Sequence, residues 1–421
     1  LDVYRLAQTN DPAWARALAT HQANIEKGPQ GRALLLPSVL FNASAAKLDQ
    51  DSKTAIINDS SRYRSDTYSV QLTQPLYRKQ NFAAYAQGLS GVSQAEAELA
   101  IARQDLILRA GGAYFDVLTT QDALDYTTAE KQAIARQLAL ATRNYNVGTK
   151  TLVDVHEAQA RHDQAHAQEI VAGIDLNSKQ EALIQITRGA PAALATLAAR
   201  LPLEMPEPAD PEKWTAAAQA QSPQIKVKEE ALEIALQEIE KNRGGHYPTL
   251  DLVASRSYSD AGGSVFGTPI ESTTDQIALQ VQVPLFQGGS VASKVRESLA
   301  KRDEAREGLE QTRREVTRQT REAYVAVVSG ISRVKALEQA LASNQRALES
   351  TVQGFETGVR TGIDVLNAQR DLYRTKRDLS QARYNYLVSR LRLKAAAGTL
   401  GEDDVLVLNA LLDTNKVASG K

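Results

Sequence analysis

Several residue types on which folds and sites often depend are missing or scarce in this chain. None of its 421 residues is cysteine, which excludes disulfides, cysteine-ligated metals and cysteine nucleophiles. No apolar run reaches the length of about 18 residues that a transmembrane helix needs. The 49 Lys and Arg residues are balanced by 50 Asp and Glu residues, which argues against nucleic-acid binding. Aromatic residues make up only 5%, which favours long helices packed through Ala, Leu and Val.

Proline is absent from 76–190 and from 285–421. Because a proline inside a helix costs about 3 kcal/mol, both stretches can hold very long helices. Six of the 13 prolines fall between 191 and 223, which predicts a Pro-rich connector over 201–222. The predicted long helices cover about 79–145, 153–188, 288–356 and 363–398, and a tail follows at 401–421.

Apolar residues recur every seven positions in the second proline-free stretch. One stripe consists of Val327, Val334, Leu341, Leu348 and Phe355, and the other of Val365, Leu372, Leu379, Tyr386 and Leu393. Heptads on both arms of a hairpin predict antiparallel coiled-coil packing.

The chain contains an internal repeat. The segment Tyr145–Val155 recurs as Phe355–Val365 at an offset of 210 residues, and the Ala113-Tyr114 pair recurs at the same offset. A period this long indicates a duplicated half rather than a solenoid repeat. We therefore expect a first structural repeat over 1–200 and a second over 223–400.

Four short segments alternate apolar and polar residues and predict β-strands at about 36–47, 66–77, 247–257 and 275–286. They form two pairs, and the segments Leu48–Ser65 and Ser257–Thr274 read as polar loops within the pairs. Such alternation over about ten residues is typical of transmembrane β-strands, but also of a soluble hairpin with one wet face. Four strands cannot close a membrane barrel, for which roughly eight is the minimum. If these strands span a bilayer, several copies of the chain must share one barrel.

Three motifs make the chain resemble the TolC family of outer-membrane efflux and secretion ducts. They are Leu285–Gly289 after the fourth strand, Gly358–Ala368, and Ala382–Tyr386 on the last long helix. The resemblance implies a mixed α+β membrane protein that works as a homotrimer. Each chain would give four strands to a shared outer-membrane β-barrel and long coiled-coil helices to a periplasmic α-barrel.

The resemblance also implies a periplasmic entrance at two glycine-containing turns. Gly148 and Gly358 match the family's turns, and Thr149, Lys150 and Val359 beside them belong to the expected docking surface for a periplasmic adaptor (membrane fusion) protein.

The family's gate residues carry over to four positions. Asp364 matches the first acidic ring of the entrance, whereas Asn367 stands where many members carry a second Asp. Arg360 and Asp154 match a pair that closes the entrance, and they are the expected latch. Phe355 replaces an aromatic hydroxyl, so the closing network is expected to be thinner here.

Other interpretations of these residues remain open. On spacing alone, Thr151–Asp154 and Thr361–Asp364 are helix-capping patterns, although one Asp can both cap and gate. His162 and His166, four residues apart, are a candidate metal pair, against an ordinary polar helix face. No phosphate loop, dinucleotide fingerprint or nucleophile elbow occurs, so neither an enzyme nor a cofactor is expected.

The predicted function is a passive exit duct of a multidrug efflux pump or type I secretion system, located in the outer membrane. An inner-membrane transporter would supply the energy, and outer-membrane lipid would surround the barrel. The alternative is a soluble coiled-coil scaffold with a small β cap, and a metal-binding periplasmic protein is a third. The chain begins at Leu1 rather than Met, so either a removed signal peptide or a recombinant boundary is expected.

Overall fold

The computed structural model describes residues 1–53, 58–149, 151–189, 194–198, 201–264 and 268–417. Most of this part of the chain is helical. The helices are α1 Asp2–Asn10, α2 Pro12–Ile25, α3 Lys27–Ala33, α4 Lys79–Asn146, α5 Leu152–Thr187, α6 Pro211–Gln221, α7 Pro223–Arg243, α8 Ser290–Glu356, α9 Gly362–Ala396 and α10 Glu402–Ala410. No helix in these ranges combines the length and the apolar character that crossing a membrane requires.

The strands form two antiparallel sheets. They are β1 Ser38–Lys53, β2 Asn58–Tyr77, β3 Ala195–Leu197, β4 Thr249–Ala261, β5 Ile270–Gln282 and β6 Leu412–Val417. The larger sheet has the order β1-β2-β4-β5, and β3 pairs with β6 in the smaller one. The two hairpins of the larger sheet are joined by the pairing of β2 with β4. Within this pairing Tyr68 lies opposite Tyr258, and their ring centroids are 6.4 Å apart.

The end strands of the larger sheet expose large apolar side chains. Ile277 on β5 is 80% exposed, and Leu279 on the same face is exposed as well. Val39 and Phe41 are exposed on β1. Among the described residues, nothing therefore covers the apolar surface of this sheet or pairs with its two outer edges.

Both hairpins extend beyond their predicted ends, so the interpretation of Leu48–Ser65 and Ser257–Thr274 as polar loops was wrong for much of each segment. The ladder continues through polar cross-strand pairs. Arg62 Nη2 lies 2.6 Å from Asp49 Oδ2, and Tyr63 Oη donates to Gln50 Oε1 at 2.9 Å. Opposite charges and hydrogen-bonding pairs stabilise facing strands although neither strand shows apolar alternation there.

The chain divides into two compact units that each draw on both predicted repeats. One comprises Leu1–Ala19, Glu98–Ile225 and Thr312–Lys421, and the other comprises Thr20–Ala97 and Lys226–Gln311. The second unit contains the four-stranded sheet. The first contains three clusters of buried apolar residues and the helix turns after α4 and α8.

In the first unit, α8 and α9 pack antiparallel, since residue numbers rise along one as they fall along the other. Thr320 Oγ1 donates to Ala396 O, and Asn344 Nδ2 donates to Thr375 Oγ1 at 2.8 Å. Both heptad stripes contribute to one buried core, which includes Val327, Val334, Leu379, Tyr386 and Leu393. Helices α4 and α5 pair in the same manner, with Lys179 Nζ 2.9 Å from Asp116 Oδ2.

No helix or strand was predicted for 201–222 or 401–421, where the structure has α6, α10 and β6. Pro211 lies at the first position of α6, where its missing N–H is not needed. Asp210 caps this helix by accepting a hydrogen bond from the Glu212 N–H at 2.9 Å. The proline cluster therefore marks a helix start as well as a connector.

Candidate functional site at the paired helix turns

The turn after α4 and the turn after α8 have the same backbone hydrogen bonds. Gly148 has a φ of 77° and Gly358 a φ of 79°, the left-handed conformation that favours glycine after a helix. The Thr149 N–H donates to Asn144 O at 2.9 Å, and the Val359 N–H donates to Gly354 O at 2.8 Å. Both long helices thus end in the same way.

The helices that follow the turns begin with the same capping box. Asp154 Oδ2 accepts hydrogen bonds from the Thr151 N–H at 3.0 Å and the Thr151 hydroxyl at 2.8 Å. Asp364 Oδ2 accepts from the corresponding groups of Thr361 at 2.9 and 2.8 Å. Both predicted capping patterns are confirmed, so each Asp fixes the start of its helix.

The Asp364 carboxylate is half-buried and held in its charged form. The Thr361 backbone N–H, then the Thr361 hydroxyl, and then the nearby Arg360 guanidinium lower the pKa of this carboxyl below its ordinary value. Hydrogen bonds to the charged form favour ionisation. Asp364 therefore presents a stable negative charge at the second turn.

Arg360 lies close to its own turn within one chain. Its N–H donates to Gly354 O at 2.9 Å, and its Cγ approaches the position that a Cβ on Gly354 would occupy. The latch between Arg360 and Asp154 remains a prediction.

A cleft brings the second turn next to the beginning of α5. Asp154 lines this cleft together with Phe355 and Ile363 from the second turn and Asn144 from the end of α4. The structure therefore places Asp154 beside the second turn, whose Arg360 is its predicted partner.

Apolar side chains are exposed at the tips. Val359 is 80% exposed, and Val147 and Val153 are also exposed. Thr149 turns its hydroxyl inward to Asn144 O at 2.9 Å, whereas Lys150 lies outside the described residues. Exposed apolar groups on adjoining turns form a small surface suited to packing against another protein.

The candidate histidines are each near one acidic side chain of their own helix. His162 Nδ1 lies 3.5 Å from Asp163 Oδ1, and His166 Nδ1 lies 3.4 Å from Glu169 Oε2. No group of three His, Cys, Asp or Glu side chains arranged to hold a metal was found within the described ranges. A metal site at these histidines therefore stays a prediction.

Two tyrosines of the Ala382–Tyr386 motif anchor α9. Tyr384 Oη donates to Asp122 Oδ2 at 3.0 Å, and Tyr386 Oη donates to Glu204 O at 3.0 Å and accepts from the Glu204 N–H at 3.1 Å. Burial raises the pKa of the Tyr384 hydroxyl, with the Asp122 charge as a further cause. The motif thus ties α9 to α4 and to the connector.

A set of arginines on α9 was not among the predicted site residues. Arg370, Arg374 and Arg377 line a cavity between α4, α5 and α9, which Asn367 also lines. Their spacing of four and three residues puts them on one helix face, which was the available signal. That Arg161 on α5 also lines this cavity could be seen only in the folded chain.

Known proteins resemble this chain over nearly its whole length. The sequence model of the family described as outer membrane efflux protein matches residues 3–188 and 214–399. The chain is 32% identical to outer membrane protein TolC of Escherichia coli over 424 residues, covering 98% of this chain and 84% of TolC. It is 31% identical to the alkaline protease secretion protein AprF of Pseudomonas aeruginosa, covering 97% of this chain and 86% of AprF.

Solved structures share the fold at lower identity. The outer membrane protein VceC of Vibrio cholerae superposes with a TM-score of 0.81 at 19% identity, covering 94% of this chain and 95% of that one. The Campylobacter jejuni CmeC outer membrane channel gives 0.82 at 17% identity, covering 98% and 90%.

Proposed function

The chain belongs to the outer membrane efflux protein family, the TolC family, and we propose that it works as a homotrimer gated at its two helix turns. It is an outer-membrane exit duct of an efflux or type I secretion system, and its relatives include the outer membrane protein TolC and the secretion protein AprF. The family is one of channels, and such ducts work with an adaptor protein and an inner-membrane transporter.

The observation that carries the trimer is the open four-stranded sheet. In the described chain neither β1 nor β5 pairs with a further strand at its outer edge. In lipid every backbone N–H and C=O needs a partner, because no water is present to replace it. Three chains would supply twelve strands, enough to close a barrel in which β1 of one copy meets β5 of the next. Four exposed apolar side chains would then contact lipid or side chains of a neighbouring strand. They are Val39, Phe41, Ile277 and Leu279.

The absence of native cysteine allows a direct test of this edge pairing. We expect the double variant Val39→Cys/Leu279→Cys, whose two positions lie on the same face of the sheet, to give covalent dimers and trimers when treated with a short bifunctional maleimide in detergent. Each single variant, which has a cysteine on only one edge, should stay mainly monomeric on a denaturing gel. A native mass of one folded chain, or no cross-linked trimer from the double variant, would contradict the shared barrel.

We assign the gate to the two turns. Three copies of Asp364 converging on an axis would concentrate cations and repel one another, so they cannot hold the entrance shut. Asn367 would leave the neighbouring ring uncharged. Pairs between Arg360 and Asp154 would oppose this repulsion, and the cleft that puts Asp154 beside the second turn supports this pairing.

We assign adaptor docking to the tips of the same turns. The support is the exposed Val147 and Val359 next to the two rigid glycine turns at Gly148 and Gly358. A partner of this kind would be connected to an inner-membrane transporter, which would drive export while the duct itself stays passive.

A further inference from the structure

A cavity of about 370 Å³ lies between α4, α5 and α9 in the first compact unit. It is lined by Glu130, Ile134, Arg161, Gln164, Ala165, Gln168, Leu366, Asn367, Arg370, Arg374 and Arg377. Four of these side chains are guanidinium groups, whereas only one is a carboxylate. The cavity is therefore strongly cationic.

Two of the four arginines have a carboxylate beside them. Arg377 Nη1 lies 3.6 Å from Glu130 Oε2, and Arg370 Nη2 donates to Asp371 Oδ1 at 3.2 Å. No carboxylate of the described residues forms an ion pair with Arg161 or Arg374. Two guanidinium groups from two different helices thus remain uncompensated in one cavity, which matches the charge of a dianion.

Glu130 adds a more selective feature. Its side chain is only 4% exposed, and no group of the described residues donates a hydrogen bond to its Oε2. The Arg377 Nη1 group nearest to it donates instead to Thr127 Oγ1 at 3.2 Å. An ionised carboxylate only accepts hydrogen bonds, so a ligand that contacts Glu130 Oε2 must donate a proton from a hydroxyl of its own.

We propose that this cavity binds inorganic phosphate as the hydrogen phosphate dianion. Arg161 and Arg374 contact its charged oxygens, and its remaining hydroxyl donates to Glu130 Oε2. Sulfate has the same shape and charge but carries no proton, and a phosphate monoester dianion has none either. Sulfate and the monoester dianion would each place an unprotonated, negatively charged oxygen against the Glu130 carboxylate, which would repel it. The site would therefore bind free phosphate in preference to phosphate esters of cargo or lipid.

The test is a binding measurement on the full-length protein in detergent. It is made at about pH 8, well above the ordinary carboxyl range, because burial raises the pKa of Glu130 and the proposed contact needs its ionised form. Titration calorimetry with phosphate, sulfate and glycerol phosphate in a constant chloride background should show saturable binding of phosphate and much weaker binding of the other two. Sulfate binding equal to phosphate binding, or no saturable phosphate binding, would overturn the proposal. The measurement needs neither a trimer nor a conducting channel, so its outcome is separate from that of the proposed function.

Matched variants locate the site. Arg374→Ala and Arg161→Ala should each weaken phosphate binding by about tenfold or more, because charge-assisted hydrogen bonds are lost. Arg346→Ala, at an exposed arginine of α8 outside the cavity, should leave it unchanged. Equal effects of Arg346→Ala and Arg374→Ala would overturn the assignment.

Glu130→Gln tests the selectivity. The amide keeps the volume of the side chain but removes its charge, so it can donate to an oxyanion instead of repelling it. We expect sulfate binding to increase severalfold in this variant and the preference for phosphate to disappear. A retained preference for phosphate would contradict the role of Glu130, provided that circular dichroism shows an unchanged fold.

Discussion

The two helix turns have the same backbone but present different chemistry. Both combine a left-handed glycine with a capping box, and corresponding hydrogen bonds differ by about 0.1 Å. The first turn carries Tyr145, Lys150 and Leu152 at the positions where the second carries Phe355, Arg360 and Gly362. The two repeats therefore share the backbone conformation of the turn but differ in the side chains that the turn presents. We expect cation binding to be concentrated at Asp364 of the second turn.

The largest expected difference between the turns is in cation block. Asp364→Asn should weaken block of single-channel current by a periplasmic-side trivalent lanthanide about tenfold or more, because a carboxylate ring concentrates cations. Asp154→Asn, at the same position of the first turn, should leave the block almost unchanged. Planar-bilayer recording of both variants measures this. Equal relief by the two substitutions would remove the functional difference between the turns.

The same block should be insensitive to mild acid. The folded-state pKa of Asp364 lies below the ordinary 3.8, so its ionised cap is fully present above that value. The contribution to stability is lost only as pH falls through the folded-state pKa. We therefore expect similar block at about pH 7 and about pH 5. A loss of block over this interval would show that Asp364 does not carry it.

A substitution at the glycines should affect both turns equally. Gly148→Ala and Gly358→Ala each put a side chain into a left-handed conformation, which costs about 1–2 kcal/mol. Gly112→Ala is the control, since a Cβ there meets no neighbour and alanine favours the helix by roughly 0.5–1 kcal/mol. Amide hydrogen exchange at the turns reports the local effect. Faster exchange in only one variant would mean that the turns differ in backbone energetics too.

The smallest expected effect concerns the latch. Arg360→Ala should raise the resting open fraction severalfold without lowering trimer yield, because exposed ion pairs are individually weak. Asp154→Ala should do the same, and the double variant should add little, since both changes remove one interaction. Fully additive effects in the resting conductance, or no effect of Arg360→Ala, would place the latch elsewhere.

The features that the sequence predicted are those whose signal is local or periodic. The heptad spacing of Val327 and Val334 predicted that both are buried, and they are. The capping boxes at Thr151 and Thr361 are short motifs whose own residues form the hydrogen bonds, so they too could be predicted. The outer parts of β1 and β2 were missed because the Arg62–Asp49 pair replaces apolar alternation there.

The cavity could not be predicted for a different reason. Glu130, Arg161 and Arg374 are far apart in the sequence, and each alone looks like an ordinary charged residue on a wet helix face. Only the packing of α4, α5 and α9, through the small side chains Ala158 and Ala165, brings them together. The sequence pattern does not show which residues of different helices lie close together. Whether a charge on one helix is paired with a charge on another can therefore be seen only in the folded chain.

The backbone and capping-box hydrogen bonds described for the first turn join residues within Arg143–Asp154. Such a turn does not depend on distant residues for its geometry. It should therefore behave as a portable module that can be transplanted between two arms of an unrelated antiparallel coiled coil without redesign. For the natural protein, this means that the helices can diverge freely in evolution while the surface offered at their tips keeps its shape.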